Sequence, residues 1–269
     1  MTRDRPPAPS GPPRSRRGAL AVLAGLAIAA AVLPPLLRRL APLPLEPLPG
    51  LPGFRRIEGT DLTRAFDPFV GLGTPASETA TDTLRAAADR AVRADPCAAL
   101  FPGWSGDSVP LAVFTDHNCA VCRRTEPEVR GWVGAQGGRV TLFWHDLPLL
   151  GPTSEIAARG ALAARRLGAE AAFRARLLRS APSPDPAWLA GTGASLGLDG
   201  ARLAALAGSP EVDAALAGNL ALFQLLGLAG TPGAVLGRTV VSGALPRERW
   251  ARLLAGESAE ATRAACQAL

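Results

Sequence analysis

The stretch that decides the fold is Val109-Pro110-Leu111-Ala112-Val113-Phe114-Thr115-Asp116-His117-Asn118-Cys119-Ala120-Val121-Cys122. An apolar run leads into two cysteines two residues apart, and a helical stretch follows, so both thiols sit where a strand hands over to a helix. A helix start presents unpaired backbone N–H groups and the positive end of its dipole, which stabilises a thiolate on Cys119 and lowers its pKa. Cys122 lies one turn further on the same face and can reach back to close a disulfide. The pair also fits half of a structural zinc site, or two buried small apolar residues, and the rest of the chain has to decide.

Charge removes one class of function. The 269-residue chain has a pI near 10.6 and all 29 of its basic residues are arginine. Residues 1–40 hold seven of them (Arg3, Arg5, Arg14, Arg16, Arg17, Arg38, Arg39) against Asp4 alone, which leaves 22 arginines facing 22 acids in the remainder. The basic excess belongs to a targeting segment and gives no reason to expect nucleic-acid binding. Residues 18–37, GALAVLAGLAIAAAVLPPLL, carry no charge and are long enough to span a bilayer, with the arginine-rich side left in the cytoplasm. Two readings stand: an uncleaved anchor, or a signal peptide cut after Ala29 or Ala31. Arg38-Arg39 and the proline-rich LAPLPLEPLPGLPG that follows favour the anchor, with the five prolines forming an extended, semi-rigid spacer. Either way, the chain beyond about residue 40 is exported.

Export makes the cysteine count informative. Beside Cys119 and Cys122 stand Cys97 and Cys266, expected to form a structural disulfide; two free thiols are the alternative. Far downstream, Ala234–Leu236 and Thr239–Val241 flank Gly237-Arg238 as a two-residue hairpin, and Thr231-Pro232 opens the first of these strands. A proline there suits an edge, a turn or a cis peptide. Between the second strand, Arg139–Trp144, and Pro232 lie about eighty residues rich in Ala and Leu, with helix starts at Asp185-Pro186, Asp199 and Ser209-Pro210. Val212, Leu216, Leu220 and Phe223 recur at helical spacing and read as core.

Together these residues resemble the DsbA-like thiol-disulfide oxidoreductases, a thioredoxin-like α/β fold with an inserted all-helical subdomain. Pro127, eight residues after Cys119, is similar to the helix proline of thioredoxins, and Thr231-Pro232 to the cis-proline loop that faces the active-site sulfurs. The run His145–Leu149 followed by Ser154–Arg159 is similar to the family's approach to its helical region. The resemblance spans roughly residues 109–255 and implies disulfide exchange through Cys119 and Cys122, with Thr231 and Pro232 aligning the substrate. It implies no cofactor. Two departures stand out: Val113 occupies the position where the family carries a buried acid, although Asp116 is near, and the dipeptide Ala120-Val121 lacks the thiolate-stabilising histidine. They leave the direction of electron flow open, oxidase being preferred over reductase or isomerase.

The expected organisation is a basic cytoplasmic tail (1–17), a transmembrane anchor or signal segment (18–37), a spacer (38–53), an N-terminal extension (54–108), the thioredoxin-like domain (109–255, insertion about 152–229) and a C-terminal tail (256–269) carrying Cys266. A helix is expected over 80–94. The partners are exported proteins with thiols or disulfides and an envelope redox partner that resets the site; the location is the periplasmic face of the inner membrane, or the periplasm if the anchor is cleaved. His117 is either a surface loop residue, a helper of the Cys119 thiolate, or with both cysteines a third ligand in a copper- or zinc-handling site. His145 is expected to be hydrogen-bonded at the strand end beside Asp146.

Overall fold

The computed structural model describes residues 43–59, 63–64, 75–179 and 185–268. The expected tail, the 18–37 segment and the start of the spacer lie outside them. Among the described residues no helix is long and apolar enough to cross a membrane.

The chain enters the sheet earlier than its prolines suggest. Glu46–Pro47 (β1) pairs antiparallel with Arg55–Glu58 (β2), and Leu48, Leu51 and Phe54 join the hydrophobic core at 3 to 5% exposure. The spacer reading is thus corrected from Leu45 onward. The leucines between the prolines supply buried side chains, and β1 is the sheet's edge strand, where a proline removes no ladder bond that matters. Thr63–Arg64 (β3) follows, then two helices, Pro75–Ala94 (α1) and Pro96–Leu100 (α2). Asp95 caps α2 by accepting from Ala98 N at 2.8 Å.

Val109–Thr115 (β4) is buried along its whole length, as a strand covered on both faces must be. Ala120–Gly134 (α3), containing Pro127, leads to Val140–Asp146 (β5), parallel to β4. The helical insertion comprises Pro152–Arg166 (α4), Glu170–Arg179 (α5), Pro186–Ser195 (α6), Gly200–Ala207 (α7) and Pro210–Leu225 (α8). Asp185, Asp199 and Ser209 are the N-caps of the last three, accepting from Trp188, Arg202 and Val212 N–H groups. Val212, Leu216 and Phe223 are buried and Leu220 half-buried on α8.

Gly230–Thr231 (β6), Gly233–Leu236 (β7) and Thr239–Ser242 (β8) return the chain to the sheet. The β7–β8 hairpin closes over Gly237-Arg238, with Gly237 at φ 58°, a conformation that glycine adopts without a Cβ penalty. The sheet order is β1-β2-β8-β7-β4-β5, which places β8 and β7 at its centre and β4 between β7 and the edge strand β5; β3 and β6 form a separate two-stranded pair. Arg247–Ala255 (α9) buries Trp250, Leu253 and Leu254. The expected C-terminal tail is helical, Ala259–Gln267 (α10), and Cys266 on it is joined to Cys97 on α2 with Cα atoms 5.8 Å apart. Such a bridge, 169 residues apart in sequence, constrains the unfolded chain strongly.

Candidate functional site

The site forms where β4 ends. Asp116, just past the strand, is fully buried and accepts four hydrogen bonds: Oδ1 from Asn118 N (2.8 Å) and Ser154 Oγ (2.7 Å), Oδ2 from Leu149 N (2.8 Å) and Leu150 N (3.0 Å). It staples the Cys119 loop to the start of the helical insertion. Asn118 Nδ2 adds a bond to Thr153 Oγ1 at 2.7 Å.

Cys119 is the N-cap of α3, and its Sγ accepts from Cys122 N–H at 3.1 Å. That bond and the helix terminus point positive charge at the sulfur. The Cys119 thiol in turn faces Thr231 O at 3.5 Å. The Thr231-Pro232 peptide is cis, and both residues are buried against the two thiols' loop. Cys119, Cys122, Thr231 and Pro232 are therefore brought together, with Cys119 and Cys122 both present as thiols and at most 2% exposed. Burial pushes the Cys122 thiol up, and its hydrogen bond with Cys119 adds to the effect.

The pairing of Thr63 with Thr231 and Arg64 with Gly230 lays β3 antiparallel along the backbone that precedes the cis-proline. The edge next to the sulfurs is held by the chain's own extension.

His117 is not a surface residue. It is 4% exposed, and its Nε2 lies 2.9 Å from Asp146 Oδ1 on β5. Among the described residues no group of three His, Cys, Asp or Glu side chains is arranged to hold a metal. His145 stacks on Phe114 with ring centroids 4.7 Å apart, and its Nδ1 and Nε2 lie 3.0 Å from Asn219 Oδ1 and 2.9 Å from Leu100 O. Burial pushes its imidazole below the ordinary value.

A charge cluster behind the site escaped the sequence reading. Arg174 on α5 is fully buried, with its guanidinium 4.3 Å from the centroid of Trp144. It donates to Asp146 Oδ1, to Glu170 Oε1 at 3.1 Å and to Glu126 Oε2 at 3.4 Å. Burial opposes ionisation of Asp146, but Arg174, His117 and Arg165 outweigh it and hold the carboxyl below the usual range. Arg123, next to Cys122, clamps the end of α5 to the loop by donating to Leu177 O, Leu178 O and His117 O. The one sequence signal for Glu126 was its spacing, four residues after Cys122.

Comparison with known proteins agrees with this architecture. Residues 111–255 match the family model described as a DSBA-like thioredoxin domain. A thioredoxin-like oxidoreductase from Silicibacter pomeroyi DSS-3 is similar at 32% identity and a TM-score of 0.53, covering 60% of this chain and 95% of its own. The catalytic domain of Proteus mirabilis ScsC (23%, TM-score 0.51, 65% and 98%) and the thiol-disulfide exchange protein alpha-DsbA2 from Wolbachia pipientis (20%, 0.52, 68% and 99%) share the fold. No curated protein matches the chain.

Proposed function

The chain belongs to the family of DSBA-like thioredoxin domains and is a thiol-disulfide oxidoreductase, and on that premise we propose that Cys119 and Cys122 are its redox pair and that it oxidises exported proteins. The observation that carries the reading is the Cys119 sulfur at a helix N-cap, receiving the Cys122 N–H at 3.1 Å beside a cis-proline. A sulfur so placed is stabilised as a thiolate, which favours the reduced enzyme and makes its disulfide oxidising.

In the forward reaction a substrate thiolate attacks Cys119 of the Cys119–Cys122 disulfide, forming a mixed disulfide and expelling Cys122 as its thiolate. A second substrate thiolate then attacks the substrate sulfur and releases Cys119. The substrate loses two electrons and gains a disulfide; the enzyme pair gains them. An envelope redox partner returns the pair to the disulfide form, and no cofactor is required. Pro232 contributes no N–H, and the substrate main chain would run along Thr231, in the place Thr63 and Arg64 hold in this structure. The 18–37 segment supports a site on the periplasmic face of the inner membrane, or in the periplasm once the segment is cut.

The test is direct. Cys119→Ser abolishes oxidation of a reduced substrate protein, and Cys122→Ser accumulates mixed disulfides; turnover in Cys119→Ser overturns the assignment. Equilibration with glutathione separates oxidase from reductase: the oxidase reading expects a potential above about −200 mV, a reductase one nearer to about −270 mV.

A further inference from the structure

Glu126 takes no part in the chemistry above. It stands on α3 four residues after Cys122, so both side chains leave the helix on one face, and it is 3% exposed. Its Oε2 pairs with Arg174 Nη1 at 3.4 Å and Arg130 Nη1 lies 3.6 Å from Oε1, yet Oε1 has no hydrogen-bond partner. A buried carboxylate oxygen left in that state is costly unless something uses it. Glu126 and Cys122 line one cavity of about 20 Å3, walled also by Val113, Trp144, Pro232 and Trp250. That is room for one water molecule.

Neither of the other buried carboxylates near the loop can serve Cys122. Both oxygens of Asp116 are filled by four donors. Asp146 is bound to Arg174 and His117, and it is not among the cavity walls. On the strand, Val113 is apolar. A thiol whose pKa is raised by burial nevertheless has to lose its proton to attack, and regain one after leaving.

We propose that Glu126 is the proton relay of Cys122, acting through a water molecule in this cavity. The inference rests on Cys119 and Cys122 being the redox pair. When Cys122 attacks a mixed disulfide on Cys119, its S–H proton passes through the water to Glu126. The Cys122–Cys119 bond forms, the bond from Cys119 to the substrate sulfur breaks, and the substrate leaves as a thiolate. In the oxidising direction the Glu126 carboxyl returns a proton to the departing Cys122 thiolate. The charged groups around the relay are Arg174 from α5, Arg130 from α3, and on the cavity walls Glu128 and Arg247.

The dithiol form of the full chain, mixed with 5,5′-dithiobis(2-nitrobenzoate), releases thionitrobenzoate twice: once when Cys119 attacks the reagent, and again when Cys122 attacks the mixed disulfide. Glu126→Gln is expected to slow the second release at least tenfold at pH 7, within the range of general acid–base contributions, and to leave the first unchanged. The deficit closes tenfold per pH unit as hydroxide replaces the relay. A second release within twofold of the parent at pH 7, or both releases slowed alike at every pH, overturns the proposal. Absence of any first release instead overturns the assignment of Cys119. Should Glu126→Gln not fold, Glu126→Asp is read in the same way, with an intermediate second release that keeps the parent's pH slope; a slope of one in hydroxide there overturns the proposal.

Discussion

His117 Nε2 and Asp146 Oδ1 lie 2.9 Å apart with both side chains buried, and Arg174 donates to the same oxygen. The imidazole two residues before Cys119 is turned toward β5, so it belongs to the charge cluster behind the loop. Replacing it with phenylalanine removes a buried hydrogen bond to a charged group, a loss of about 2 kcal/mol in urea unfolding. The rate at which Cys119 attacks a small disulfide should stay within about threefold of the parent. A much larger change in that rate would assign His117 to the thiolate.

Arg174 is the counter-ion of Asp146, Glu126 and Glu170 at once. Arg174→Met leaves buried carboxylates without it and should cost about 3 to 5 kcal/mol by urea titration. Arg165, whose side chain is 36% exposed, pairs with Glu170 at 2.8 Å nearer to solvent; Arg165→Met should cost less than about 1 kcal/mol.

Stability should fall in acid in two stages. His145 has its folded pKa lowered by burial, so the unfolded chain binds the proton first, and stability is complete above the unfolded value of about 6.5. Below it the loss runs at about 1.4 kcal/mol per pH unit until the folded imidazole protonates. Asp146 is lowered as well, so its contribution is complete above about pH 4 and lost only as the pH falls towards its folded value. Urea midpoints measured from about pH 8 down to about pH 2 check both stages. His145→Gln should flatten the curve between about pH 6.5 and 5, and a parent curve already flat there would contradict the assignment.

How far the sequence disclosed this arrangement follows from the range of each interaction. The caps at Asp185, Asp199 and Ser209, the Gly237-Arg238 hairpin and the approach of β4 to Cys119 are set by neighbours within four residues, and all are legible in order. Arg174 is not: its partners Glu126 and Asp146 lie 48 and 28 residues away, and an arginine inside a helix reads as solvated until the fold closes over it. The segment around Leu48 and Leu51 misleads for another reason. Its prolines do favour extended backbone, but extended backbone at a sheet edge is also a strand, and local sequence cannot distinguish the two. The β3 pairing with Thr231 crosses 168 residues and left no local trace.

Removing the Cys97–Cys266 bridge separates structural from reactive sulfur. The Cys97→Ala/Cys266→Ala variant should lose about 3 to 5 kcal/mol, because a bridge across 169 residues restricts the unfolded chain. Neither cysteine adjoins Cys119, so turnover of a reduced substrate should remain within about twofold at 20 °C. Loss of turnover with the fold intact would mean that the bridge positions the redox site.

The pairing of β3 with β6 bears on access. An incoming chain that adds to the Gly230–Thr231 edge has to replace the bonds that Thr63 and Arg64 make there, and Cys119 beneath that edge has no exposed surface. Proline at both positions removes their N–H donors and disfavours the pairing without touching the cysteines or the cis-proline. Thr63→Pro/Arg64→Pro should therefore speed alkylation of Cys119 by iodoacetamide severalfold and lower KM for a reduced substrate protein, with kcat close to the parent value. If β3 instead helps to build the substrate edge, the same variant would raise KM, and the sign of that change decides between the two.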